Sequence, residues 1–224
     1  MSSARAALDT RYSFTAQFLC SSAIFARRCA EIEAGADPDE QTLTEHRGLV
    51  TAAIMQSAAA IEAESAEVLT HGPGHHLGSN GVDTASRDFL APLAELIDRQ
   101  QSPLQRYETI LHLLHKVPLR RGEQPWQDTA ILIQLRNQIT HYKSQWGQQI
   151  EGKDLFKSLR NLRLKKPSFI ISTNTNFFPH QCLSAECAAW SVRTAVKFIN
   201  VFYERLEVRS PLSAFMGQFQ SLYR

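Results

Sequence analysis

The chain has 224 residues, of which 43% are hydrophobic and 21% are charged, and its formal net charge is +2. This length is enough to bury a full hydrophobic core, and the composition is that of a soluble globular protein. The small net charge excludes nucleic-acid binding through a bulk excess of cations, so any such affinity must come from local clusters of lysine and arginine.

The first apolar stretch, residues 14–26, is interrupted by Gln17, Ser21 and Ser22. It has no signal-peptide pattern, and no segment reaches the roughly 18–20 apolar residues of a membrane span. The cysteines form no CxxC pair, and each lies in or beside an apolar helical pattern (Cys20, Cys29, Cys182 and Cys187). Buried free thiols in a reducing compartment are therefore expected, and the sequence predicts a cytoplasmic protein with no membrane partner.

Two long helices are predicted first, from residue 9 or 10 to 33 and from residue 39 or 42 to 69. Gly35 and Pro38 lie between them, where a helix cannot continue. In the second helix, apolar residues recur every three or four positions (Val50, Ile54, Ala58, Ile61 and Val68). A short turn between two such helices predicts an antiparallel pair.

Residues 70–81, THGPGHHLGSNG, predict a loop, because four glycines and a proline do not fit a helix. Its histidines, 71, 75 and 76, are conceivable metal ligands. No cysteine or carboxylate stands at ligand spacing, however, so an ordered loop that caps the bundle is favoured and no metal site is predicted.

The rest of the chain also has mainly helical periodicity. Helices are predicted at 84–99, 103–115, 125 to 144 or 146, 154–162 and 185–206, the last with Ser184 as its N-cap. Residues 168–178 are rich in β-branched and aromatic side chains and predict a loop or one small hairpin. The fold class is therefore an all-α bundle that forms a single domain over residues 1–224.

The most informative stretch is residues 132–143, LIQLRNQITHYK. Leu132, Leu135, Ile139 and Tyr142 follow the spacing of a buried helical stripe. At about 100° per residue, Asn137 and His141 point away from that stripe and lie one turn apart. Arg136 lies between the two faces, and its long side chain can reach toward His141. Ile133 shares the polar face, which predicts that a second protomer covers it.

Arg136, Asn137 and His141 resemble the R-x4-6-H motif of HEPN domains, which favours Asn, Asp or His directly after the arginine. The helical context supports the resemblance, because the motif lies on a late helix that follows a long antiparallel pair. The resemblance covers residues 10–146 and leaves 147–224 as a C-terminal helical elaboration. It implies a HEPN-like bundle.

The resemblance also implies a chemistry. Catalytic HEPN proteins are metal-independent endoribonucleases that need no cofactor and form homodimers with a composite active site. His141 would act as general acid or base, Arg136 would hold the phosphate, and Asn137 would orient either group. Relatives of this kind occur in toxin–antitoxin and phage-defence systems, so an antitoxin or another neutralising protein is an expected partner besides RNA.

Two alternatives remain open at this point. Basic residues after the motif are candidate contacts for RNA phosphates, or else a solvated face (Lys143, Lys157, Arg160, Arg163, Lys165 and Lys166). Arg136 could instead pair with Glu62 or Glu64 of the second helix. A motif held in such an ion pair would favour the alternative function, a non-catalytic HEPN module that binds a nucleotide or a protein partner.

Overall fold

A computed structural model describes residues 13–35, 37–77, 81, 83–143, 153–170 and 176–223 of the chain. Its α-helices are α1 (Thr15–Ala34), α2 (Glu40–His71), α3 (Thr84–Leu90), α4 (Ala94–Gln100), α5 (Pro103–Leu113), α6 (Trp126–Thr140), α7 (Asp154–Asn161), α8 (Ala185–Leu206) and α9 (Met216–Phe219). Within these ranges there is no strand, which confirms the all-α prediction. None of the helices there is long and apolar enough to cross a membrane.

Helices α1 and α2 form the predicted antiparallel pair. The Asp39 side chain caps α2 by accepting a hydrogen bond from the backbone N–H of Thr42 at 2.8 Å. Ser22 of α1 donates its hydroxyl to the carbonyl of Ala53 at 3.2 Å, while the N–H of Phe14, just before α1, reaches Glu67 near the end of α2 at 3.3 Å. The start of one helix therefore lies beside the end of the other.

Helix α8 lies against both members of this pair. Its predicted N-cap is confirmed, because the Ser184 hydroxyl accepts the N–H of Cys187 at 3.1 Å. Glu33, at the end of α1, accepts the N–H of Ala185 at 2.6 Å and so ties α1 to the first residue of α8. The hydroxyls of Ser57 in α2 and Ser191 in α8 lie 3.3 Å apart within the core.

Helix α5 closes the core over α2 and α8 through one aromatic side chain. Tyr107 is fully buried, and its ring centroid lies 4.8 Å from that of Phe198 and 4.6 Å from that of Phe202. Its hydroxyl donates to the carbonyl of Ile61 at 2.7 Å, so the polar end of the ring is also satisfied. This side chain joins three helices that are far apart in sequence.

Several predicted helix boundaries are wrong, for local reasons. The helix predicted at 84–99 is broken into α3, a 3-10 turn at Ala91–Leu93 and α4, because Pro92 has no N–H to continue the ladder. Helix α2 extends two residues past 69 and ends at Gly72, which has a φ of +80°. A Cβ there would lie 2.8 Å from the Cβ of Arg87. Of the predicted loop or hairpin at 168–178, residues 171–175 lie outside the described part of the chain.

Candidate active site at the end of helix α6

Helix α6 presents its predicted polar face to solvent. Leu132 and Leu135 are fully buried and anchor the helix, whereas Asn137 and His141 are exposed. Tyr142 does not belong to the buried stripe as predicted, since 47% of its surface is exposed. The helix ends before it, so the helical periodicity no longer sets the direction of its side chain.

Arg136 forms an ion pair with Glu62 of α2 through its Nη2 atom. The two side chains are 22% and 33% exposed, so the pair lies at the partly covered seam between α2 and α6. The Nε atom of Arg136 is buried and has no hydrogen-bond partner within the described ranges. Of the two carboxylates considered from the sequence, Glu62 is the partner, and the guanidinium is held on the α2 side instead of extending toward His141.

His141 is the C-cap of α6, with φ −109° and ψ 34°. Its N–H donates to the carbonyl of Asn137 at 2.9 Å, and the Thr140 hydroxyl donates to the carbonyl of Arg136 at 3.0 Å. The prediction that the helix runs to residue 144 or 146 is wrong, because the chain leaves helical geometry at His141. The imidazole therefore projects from the last turn of the helix, one turn beyond Asn137.

The beginning of α7 adds a cation next to the motif. Lys153 donates from Nζ to the side-chain carbonyl of Gln138 at 3.1 Å. Gln138 directly follows Asn137 in sequence, so this ammonium lies beside the motif helix. No sequence pattern singled out Lys153, because its contact with Gln138 depends on how α7 packs against α6. Lys143, which was selected, is exposed two residues after His141.

The other predicted basic residues lie on α7 and the segment after it. Lys157 pairs with Asp154 at 2.9 Å, and the guanidinium carbon of Arg160 lies 4.7 Å from the ring centroid of Phe177. Arg163, Lys165 and Lys166 are exposed. The predicted basic run is thus a surface feature, and Lys157 is engaged with a carboxylate of its own helix.

A second polar cluster lies inside the bundle, away from the motif. Glu64 is fully buried and accepts a hydrogen bond from the hydroxyl of Tyr203. Its other carboxylate oxygen has no hydrogen-bond partner in the part of the chain that the structure describes, and neither does the nearby Thr15 hydroxyl. Burial raises the pKa of Glu64, although the Tyr203 hydrogen bond partly offsets this. Burial likewise raises the pKa of Tyr203, as does the charge of Glu64.

The glycine-rich loop, which was predicted to cap the bundle, forms an ion pair with α2 near this cluster. His75 contacts the Glu67 carboxylate at 3.1 Å through Nε2 and the Gly72 carbonyl at 3.2 Å through Nδ1. Both partners are acceptors, so both ring nitrogens are needed as donors. Burial lowers the pKa of His75, but the Glu67 hydrogen bond and the Glu64 charge outweigh it, and the pKa is raised.

The three loop histidines are not arranged around a common point that a cation could fill. His76 turns away from Glu67 and contacts the carbonyl of Arg209 at 2.7 Å through Nε2. Across the described ranges, no group of three His, Cys, Asp or Glu residues could hold a metal ion. The cysteines there are free thiols, and all but Cys20 are buried, as expected.

Comparison with known proteins finds no matching family model, no similar curated protein and no similar solved structure. The resemblance to HEPN domains therefore rests on Arg136, Asn137 and His141 and on the helical context of these residues.

Proposed function

We propose that this chain is a metal-independent endoribonuclease of the HEPN type, with a composite active site formed by the α6 motifs of two protomers. The observation that carries the proposal is the arrangement at the end of α6, where exposed Asn137 and His141 stand one turn apart. Arg136 lies on the same helix, with its guanidinium at the seam between α2 and α6. A role in a toxin–antitoxin or phage-defence system, with a neutralising protein partner, belongs to the same proposal.

In this reaction the ribose 2′-oxygen attacks the adjacent phosphorus while the bond from phosphorus to the 5′-oxygen breaks. One His141 accepts the proton of the 2′-hydroxyl, and the His141 of the second motif supplies a proton to the leaving 5′-oxygen. Imidazole suits both roles because it titrates near pH 6.5 in the unperturbed side chain. The products are a 2′,3′-cyclic phosphate and a free 5′-hydroxyl, so atoms and charge balance without an external reagent.

Arg136 would stabilise the extra negative charge of the pentacovalent phosphorane. Its planar guanidinium has five N–H donors and can contact two phosphate oxygens at once. Glu62 is a positioning residue in this proposal, because its ion pair holds the guanidinium at the seam between α2 and α6. The ion pair uses the Nη2 atom, which leaves other donors of the guanidinium for a phosphate.

Two measurements test this chemistry: which RNA substrates the protein cleaves, and which terminal groups the cleavage products carry. RNA with 2′-O-methyl at the scissile position should resist cleavage, because the attacking hydroxyl is blocked, and cleavage of ordinary RNA should continue in EDTA. Mass spectrometry of the products should show 2′,3′-cyclic phosphates. Cleavage that tolerates 2′-O-methyl, or that stops in EDTA and returns with a divalent cation, would contradict this mechanism.

The proposed dimer can be tested at Ile133, which is partly buried on the motif face. Ile133→Glu should shift the protein from dimer to monomer, because burying a charge in an apolar contact is unfavourable. Size-exclusion chromatography with light scattering would measure the mass. Ile24→Glu provides a matched control, since Ile24 is 54% exposed on α1 and the same change there should leave the dimer intact. A monomeric unmodified protein would refute the composite site.

The second candidate function is a non-catalytic HEPN module that binds a nucleotide or a protein. It is favoured by the ion pair between Arg136 and Glu62, because a guanidinium that is already neutralised by a carboxylate is less available to a phosphate. Absence of cleavage of any RNA by the unmodified dimer would select this function over the nuclease.

A further inference from the structure

We infer that residues 153–170 and the groove between α1 and α8 bind the phosphate backbone of a single-stranded RNA that extends from the α6 motif. We call residues 153–170 the basic strap. The inference takes its ligand class from the proposed ribonuclease function, but it concerns binding at a surface separate from the motif.

The basic strap connects the motif to the far side of the bundle. It begins where Lys153 contacts Gln138 of α6 at 3.1 Å. Helix α7 then runs back along α6. A cavity between the two helices is lined by Gln127 and Ala130 on one side and by Ser158, Asn161 and Leu162 on the other. The strap ends at the turn between α1 and α2, where Ser168 donates its hydroxyl to the carbonyl of Glu33.

The strap carries a strong excess of positive charge. It contains six basic side chains and a single carboxylate, Asp154, which pairs with Lys157 at 2.9 Å. Arg163, Lys165 and Lys166 are exposed, and no carboxylate partner for them occurs in the described ranges. Phosphate groups of a strand that follows the strap would meet these cations in succession, and release of counterions would favour binding.

The strap leads into the groove between α1 and α8, a cavity of about 440 Å³. Alanines from both helices line it together with four basic side chains (Arg27, Lys165, Lys166 and Arg193). Two carboxylates also line the groove. Glu186 accepts Nη2 of Arg193 at 2.5 Å and offsets its charge, whereas Glu33 accepts the uncharged N–H of Ala185 at 2.6 Å.

Arg27 adds a further positive charge to the groove. Its Nη1 donates to the backbone carbonyl of Gln218 at 2.8 Å, an uncharged partner, so the cation is not neutralised. Together with Lys165 and Lys166 it gives the groove three cations against the single Glu33 carboxylate, among small alanine side chains. Such a groove tracks an anionic chain without selecting particular bases.

Two features favour a single strand over a duplex or a lipid surface. The cavity volume of about 440 Å³ is that of a small-molecule site. It can hold a single nucleotide but is too small for a duplex. The strap leucines pack against the core and leave the cations outermost (Leu155, Leu162 and Leu164). A surface that inserts into a membrane interface would instead present apolar side chains between its cations.

The test measures binding apart from cleavage. Fluorescein-labelled 2′-O-methyl oligonucleotides of about 4 to 16 nucleotides, the range of known single-strand site sizes, would be titrated with protein and followed by anisotropy. The double variant Lys165→Glu/Lys166→Glu should weaken binding of the longest oligonucleotide about tenfold or more. The negative slope of the logarithm of the association constant against the logarithm of the salt concentration should also become shallower by about 1.4. This is about 0.7 for each of the two phosphates that are no longer neutralised. Binding of the shortest oligonucleotide should change little.

Lys197→Glu/Arg205→Glu is the matched control, because both residues are exposed cations of α8 outside the strap and the groove. Its binding should equal that of the unmodified protein. An unchanged affinity in the strap variant, an equal reduction at every length, equal affinity for a duplex, or binding of phosphatidylserine vesicles in place of RNA would overturn the inference.

The same experiment separates this inference from the proposed function. If the unmodified protein binds long oligonucleotides through the strap but cleaves no RNA, the nuclease proposal fails and the inference stands. If the strap variant cleaves and binds long RNA as well as the unmodified protein does, the inference fails and the nuclease proposal stands.

Discussion

His141→Ala should reduce the rate of RNA cleavage by about 10²-fold or more, because general acid–base catalysis by a positioned imidazole typically contributes about 10²–10⁴. Arg136→Ala should have an effect of similar size, since it removes the cation that stabilises the charge of the phosphorane. Asn137→Ala should cost less, because water can replace an orienting hydrogen bond. Cleavage of a labelled oligonucleotide under single-turnover conditions would measure all three rates.

Stability controls are needed for this comparison. Asn137 and His141 are exposed, so their alanine variants should keep the helical circular dichroism and melting temperature of the unmodified protein. Arg136→Ala leaves the partly buried Glu62 carboxylate unpaired, so some loss of stability is expected there as well. His112→Ala offers a matched control, since His112 is an exposed histidine of α5. Wild-type cleavage by His141→Ala, with contaminating nuclease excluded, would remove His141 from the mechanism.

Tyr203→Phe should lower the free energy of unfolding by about 1.5–3 kcal/mol at pH 7, the usual contribution of a hydrogen bond to a charged group. The reason is that the Tyr203 hydroxyl donates to the buried Glu64 carboxylate, whose other oxygen has no hydrogen-bond partner within the described ranges. The substitution removes the hydroxyl and leaves the ring packing with Phe202 largely unchanged. Urea unfolding followed by circular dichroism would measure the destabilisation.

The pH dependence of this stability follows from the direction of the Glu64 shift. Burial raises the pKa of Glu64 in the folded chain above the value of about 4.3 in an unfolded chain. Between those two values the folded state binds more protons, so this carboxyl makes the free energy of unfolding fall as the pH rises. Glu64→Gln should remove that contribution, and the variant should therefore be more stable than the unmodified protein at pH 7, with the difference closing toward pH 4.

Glu204→Gln is the control for this pair of variants, because Glu204 is an exposed glutamate next to Tyr203 on α8. Its difference from the unmodified protein should be small and independent of pH. A Glu64→Gln variant that is less stable than the unmodified protein at pH 7 would show that the ionised carboxylate is favourable where it lies. Tyr203→Phe with unchanged stability would mean that the hydrogen bond contributes nothing in solution.

Elements with strong local signals could be predicted from the sequence. Ser184 caps α8 as expected, and α2 begins directly after Asp39, one of the two starting residues predicted for it. A capping side chain needs only the N–H groups that follow it. The end of α6 could not be predicted in the same way. Residues 141–146 contain no glycine or proline that would signal the end of a helix, yet α6 ends at Thr140 with His141 as its C-cap.

The motif residues of the candidate site could be predicted from the sequence, but the side chains that contact them could not. The spacing of Asn137 and His141 indicated their exposed face, because helical geometry alone determines it. The choice of Glu62 over Glu64 as the partner of Arg136 depends on how α2 is rotated against α6, which one sequence does not specify. The contact between Lys153 and Gln138 depends on how α7 packs against α6, and it was missed for the same reason.

The position of α8 has a consequence for synthesis of the protein. Its contacts with the first two helices join residues far apart in sequence, with separations of 134 between Ser57 and Ser191 and 152 between Glu33 and Ala185. While the chain emerges from the ribosome, α5 and α6 can already pack against α2, but the part of the α1–α2 pair that contacts α8 stays uncovered until residues 185–206 have appeared. The core between α1, α2 and α8 therefore cannot be completed during synthesis before residues 185–206 have emerged.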